Sequence, residues 1–103
     1  MLMTTTDNIP GKNYEIIGVI VGNVVRTKHL GRDLMAGLKS LAGGELKGYT
    51  ELLIESRNIA TQRMFEEAKR MGADAIVCVR YESSSITQGA SESMAYGTAV
   101  KFV

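Results

Sequence analysis

The chain has no tryptophan, one proline, one cysteine and one histidine among its 103 residues. Each shortage removes something. A single cysteine excludes an internal disulfide and a CxxC metal knuckle. A single histidine excludes an HxxxH zinc motif and leaves a cysteine nucleophile with one candidate base in the whole chain. Aromatic residues are only 6%, so Val, Ile, Leu, Ala and Met must do most of the packing. Charge of neither sign dominates, with 12 Lys+Arg against 11 Asp+Glu. A protein that lives on nucleic acid needs a positive surplus to neutralise phosphates, so no nucleic-acid partner is expected.

Long hydrophobic runs are also missing. The longest, "IIGVIVG" at 16–22, is far short of the roughly 20 residues that span a bilayer. "MLMTTTDNIPG" has neither the basic nor the apolar region of a secretory signal. With one thiol and no disulfide, these absences lead to the expectation of a soluble cytoplasmic protein without a membrane partner. No GxSxG, P-loop or GxGxxG is present, so no cofactor is expected.

What remains is globular: 45% hydrophobic and 22% charged residues, read as one domain over 1–103. "MLMTTT" suits a short first strand, ended by the turn-rich "DNIPGKN". "YEIIGVIVGNVVR" is β-branched and apolar on both parities. Strict alternation puts Tyr14, Ile16 and Ile20 on one face and Ile17, Val19 and Val21 on the other. Gly18 and Gly22, on one parity, imply a close backbone approach or a bulge. Apolar spacing predicts a helix over 30–42, stopped by Gly43-Gly44. A second, longer helix follows, with Thr50 as its N-cap, a stripe that includes Leu53, Ser56, Ala60, Met64 and Ala68, and Gly72 as its stop. "DAIVCVRYES" reads as an alternating strand, the serine-rich 83–93 as a mobile hairpin loop, and "MAYGTAVKFV" as the last strand.

The order is therefore β-β-α-α-β-β, an α+β domain with a small antiparallel sheet packed on helices. Strands apolar on both faces need two coverings, and helices on one face supply one. The bare face, or a sheet edge, is expected to meet another copy of the chain.

Three stretches, "YEIIGVIVGNVVRT", "GRDLMAGLKSLAGGELKGYTELL" and "EEAKRMGADAIVCVRYE", resemble the small bacterial YbjQ-like family over nearly the whole chain. That family carries a heavy-metal-binding label and no established function. The resemblance implies a dodecin-like fold and a ring-shaped homo-oligomer, a pentamer.

The residues must carry any site themselves. Soft metals take several Cys, His or Met ligands together, and here Cys78 and His29 lie in different elements. Cys78 reads as a buried apolar thiol, with metal binding conceivable only around a symmetry axis. No catalytic residue and no metal ligand set is assigned. Arg26, with Lys28, His29 and Arg32, clusters where a strand runs into a helix, a place that suits a small anion; the bland alternative is a solvated turn. The loop "GGELKGYTE" puts Glu45, Lys47 and Tyr49 together, either as ligand contacts or as a plain connector. Arg80, on a mostly apolar strand, needs a partner if buried, for which a glutamate of this loop or of a neighbouring subunit is the expected answer. The five candidate ligand residues are thus Arg26, Glu45, Lys47, Tyr49 and Arg80. The function expected is a non-catalytic, oligomeric binding or scaffold domain for a small anionic ligand or an ion, with heavy-metal binding and a small enzyme with a site between subunits as alternatives.

Overall fold

The computed structural model describes residues 1–26, 47–87 and 90–103, side chains at 47–49 and 87 excepted. Its elements are β1 (Leu2–Met3), β2 (Tyr14–Arg26), α1 (Lys47–Arg70), β3 (Ala75–Thr87) and β4 (Ala90–Phe102). Among the described residues the order is β-β-α-β-β, with one helix; the helix expected over 30–42 lies outside them. The sheet order is β1-β3-β4-β2. β4 pairs antiparallel with both β2 and β3, whereas β1 runs parallel to β3. The sheet is therefore mixed and not the wholly antiparallel one expected, because the N-terminus returns alongside β3 instead of pairing with β2.

α1 lies on one face. Its stripe of Ser56, Ala60, Met64 and Ala68 is almost fully buried against Ile20, Val24, Ile76, Val79, Ala95 and Ala99. The small residues in that stripe let the helix settle close to the strands. Gly22 takes this to the limit: a Cβ there would lie 2.1 Å from the Ala60 carbonyl oxygen and 2.3 Å from the Met64 amide nitrogen. Leu53 leaves the stripe and stays about half exposed. The helix already includes Lys47, before the expected cap at Thr50. It ends as expected at Gly72, whose φ of 80° is costly for any residue with a Cβ.

Two bulges rephase the strands. In β2 the register with β4 slips between Ile16 and Gly18. Ile17 consequently turns in with Ile20 toward α1, while Ile16, Val19 and Val21 stay on the outer face. In β3 the register slips between Val77 and Arg80, so Cys78 and Val79 together oppose Gly97. Cys78 adopts φ 55° to make this possible, and Val79 joins Ile76 on the helix side. The strict alternation read from the sequence fails at both places, since one inserted residue flips every later side chain.

β3 and β4 run much further than expected. Pairing continues through Ser83–Ser93 and Ser85–Ser91 to Thr87–Ala90, so the serine-rich stretch is mainly strand and not a mobile loop. Small hydroxylated side chains fit opposite one another across a hairpin.

The outer face is covered over only part of its width. After β1 the main chain of Thr4 and Thr6 continues along the β3 edge, with Cys78 N donating to Thr6 O and Val79 N to Thr4 O. The segment then crosses the sheet, burying Ile9 against Ala75, Val77 and Val100. The Tyr14 hydroxyl donates to the Asp7 carbonyl, and Val103 N donates to Asn13 O. Lys12 lies over the Phe102 ring, 5.1 Å from its centroid.

Candidate functional site

Arg26 ends the row of β2 side chains that faces α1. Its Nη2 lies 3.1 Å from Glu55 Oε1, and its side chain is 16% exposed against 63% for Glu55. The Arg26 Nε is buried and has no hydrogen-bond partner among the described residues. Glu45 lies outside the described residues. Lys47 and Tyr49 belong to the first turn of α1, and their side chains lie outside as well. The anion site expected at 26–32 is thus represented by Arg26 alone, already held by a carboxylate.

Arg80 sits beyond the β3 bulge on the opposite face and is exposed. Its Nη1 donates to the Thr5 carbonyl at 3.0 Å and to the Val79 carbonyl at 2.9 Å. The charge is met inside the chain by one main-chain oxygen of the N-terminal segment and one of β3 itself. Of the five candidate residues, the two with described side chains do not converge.

A polar group absent from the sequence reading stands beside Arg80. Tyr96 is its cross-strand partner, and the Tyr96 hydroxyl donates to Glu82 Oε1 at 3.2 Å. Desolvation first, then the negative charge of Glu82, raises the Tyr96 pKa above its ordinary value of 10.0. Only the bulge register brings these three together, so spacing along the chain held no signal for them.

Cys78 is half-buried, and it packs beside Ile9, Ala75, Val77 and Val100. Those neighbours are apolar, and among the described residues no group of three or more His, Cys, Asp or Glu is placed to hold a metal. With one Cys and one His in the chain, a single copy does not offer the soft ligand set that heavy metals require.

The larger feature is apolar. On the outer face of β2, Ile16 is 71% exposed, Val19 74%, Val21 45% and Val25 49%. Met94 and Tyr96 flank them on β4. The N-terminal segment stops short of this patch. Among the described residues no helix is long and apolar enough to cross a membrane.

A family model described as "Putative heavy-metal-binding", that of YbjQ, matches residues 1–103. The chain belongs to the YbjQ family. It is 62% identical to a UPF0145 protein of Vibrio parahaemolyticus, over 100% of this chain and 99% of that one. It is 60% identical to a UPF0145 protein of Thermotoga maritima, over 98% and 96% of the two chains. Among solved structures it is similar to a protein of unknown function of the DUF74 family from Pediococcus pentosaceus. That likeness has a TM-score of 0.69 and 18% identity, covering 100% of this chain and 98% of the other. At that identity it shows the fold alone. The YbjQ family's metal description does not fit the ligands a single copy presents among the described residues.

Proposed function

We propose that this protein is a non-catalytic assembly domain whose copies join into a ring-shaped homo-oligomer, a scaffold able to present a small ligand or ion between subunits. The observation that carries this reading is the bare apolar strip of Ile16, Val19, Val21 and Val25 on the outer face of β2. Scattered exposed apolar residues are ordinary, but Ile16, Val19 and Val21 follow one another along one strand face, with Asn23 separating them from Val25, and such a row marks an interaction surface. Its alternation with helix-facing residues gives β2 two apolar faces, of which α1 covers one. The pentamer count rests on the family resemblance, and a cytoplasmic location on the lone thiol.

Native mass spectrometry of protein purified from its own host tests the proposal. The expected result is a mass several times 11.2 kDa, falling to that of one chain for Val19→Lys, which puts a charge in the strip without touching the helix side. A single-chain mass for the unaltered protein at micromolar concentration overturns it. The same spectra report any molecule retained by the assembly.

A further inference from the structure

α1 closes on the sheet where Ala60 meets Gly22, and stands off from the arm of β3 and β4 beyond the bulge. Between them, among the described residues, lies a cleft of about 250 Å³. Leu53 and Arg57 line it from the helix, Tyr81 and Ser83 from β3, and Ser93 from β4. The register explains this set. Tyr81 pairs with Ala95 and Ser83 with Ser93, and Ala95 is buried against α1, so these side chains share the helix side of the sheet. The Thr61 and Tyr81 hydroxyls lie 3.2 Å apart, which ties the ring to the helix. Leu53 and that ring, each about half exposed, make the apolar part of the cleft. Its polar groups are unpaired: among the described residues nothing meets the Arg57 guanidinium or the Ser83 and Ser93 hydroxyls. Three and four positions from Arg57 along the helix stand Leu53, Ile54, Ala60 and Thr61, none of them an acid.

The chemistry of these groups selects an occupant. A guanidinium presents a planar fork that takes a carboxylate through two parallel hydrogen bonds. One such cation, in a cleft that Glu82 also lines, suits a single negative charge better than the two of a phosphate monoester. Leu53 and the Tyr81 ring call for an apolar body, and an aromatic one packs offset or edge-on against tyrosine. The paired serines can donate to or accept from a hydroxyl or amino substituent on that body. The volume is below the roughly 300–1,000 Å³ of sites for drug-sized ligands, so it suits a single ring and excludes a dinucleotide. An exposed arginine alone is ordinary. Here it faces a tethered ring and a hydroxyl pair across a defined cleft.

We infer that this cleft binds a small aromatic monocarboxylate, Arg57 taking the carboxylate, Leu53 and Tyr81 the ring, and Ser83 and Ser93 a polar substituent. This names a ligand class for the scaffold proposed above; it rests on the binding part of that reading and not on assembly, because one copy supplies every group. Nuclear magnetic resonance titration of isotope-labelled protein with para-hydroxybenzoate tests it, with para-hydroxybenzamide and inorganic phosphate as controls. The expected result is saturable shifts centred on Leu53, Arg57, Tyr81, Ser83 and Ser93, with neither control binding there. Arg57→Gln, at an exposed position, should weaken binding by about tenfold or more. Arg57→Lys keeps the charge without the fork and should fall between. No saturable shift up to about 10 mM, equal binding of the amide or of phosphate, or an unchanged affinity in Arg57→Gln overturns the inference. Binding by the Val19→Lys chain but not by the unaltered protein overturns it too, and assigns the cleft to contact between copies. A single-chain mass with binding intact overturns the assembly and leaves the cleft standing.

Discussion

Gly22 and Ala60 meet main chain to main chain. A Cβ on Gly22 would stand 2.1 Å from the Ala60 carbonyl oxygen, well inside any tolerable contact. Gly22→Ala is expected to push α1 off β2 and cost about 1–3 kcal/mol or more, read as a lowered urea midpoint. Gly18→Ala, where the added carbon would meet only Met71 Cε at 3.7 Å, is expected to cost far less. Equal losses at the two positions would mean that the close approach at Gly22 is not what holds the helix.

The bulge at Cys78 yields a second prediction. A φ of 55° is unfavourable for most side chains and worst for β-branched ones. Cys78→Val should therefore destabilise by about 1–2 kcal/mol more than Cys78→Ala, although valine is the more apolar residue. Cys78→Gly relieves the backbone and loses the packing against Val77 and Val100, so it should fall near alanine. Chemical denaturation of the three variants gives the order directly.

Arg26 and Glu55 form a pair in which only the arginine is well buried. Glu55→Gln leaves that guanidinium without its counter-charge and is expected to cost about 1 kcal/mol. Arg26→Met removes the charge and the unpartnered Nε together, and should suppress most of the Glu55→Gln loss. A double-mutant cycle measures this; additive losses would show that the pair contributes nothing.

Alkaline stability tests the Tyr96–Glu82 contact. The Tyr96 pKa is raised in the folded protein, chiefly by desolvation, so the folded state holds its phenol proton more tightly than the unfolded state does. The resulting stabilisation is complete below about pH 10, the ordinary tyrosine value, and disappears as pH rises through the raised folded value. Tyr96→Phe should flatten the fall in stability above pH 10 while changing little at pH 8. Ultraviolet titration should show a late-ionising phenol that is lost in the variant.

Metal retention separates the family's description from the ligands in the chain. Copper, zinc or silver remaining after dialysis is expected to be substoichiometric, with Cys78→Ser making no difference. Metal retained at one ion per several copies, abolished by that substitution, would instead bring the thiols of those copies together.

Much of the fold was legible in the residues, for identifiable reasons. The bounds of β2 follow from the β-branched run between turn-rich segments, and the end of α1 from Gly72. The parallel return of β1 was not legible, since Thr4 and Ile76 meet with nothing local to announce it. Ser83 to Ser85 look like a loop because serine has weak strand preference; their cross-strand partners, not their own propensity, make them strand. The candidate site was less legible still. Arg80 was expected to need a carboxylate if buried; it is exposed, and beyond the Cys78 bulge it meets the Thr5 carbonyl instead. Glu45, Lys47 and Tyr49 were grouped by proximity in the chain, which says nothing about where side chains point.

The position of β2 in the sheet has a consequence for synthesis. Its only partner among the described strands is β4, the last element of the chain. On the ribosome the most apolar strand emerges well before β4 and waits without that partner until β4 has been made. β1 waits too, for β3. Among the described residues the β3–β4 hairpin is the one local strand pair, so it is the natural seed onto which α1 and the two early strands condense. Until then β2 is an open invitation to the same strand on a neighbouring nascent chain. Its exposed outer row of Ile16, Val19 and Val21 makes it the segment most in need of protection before folding.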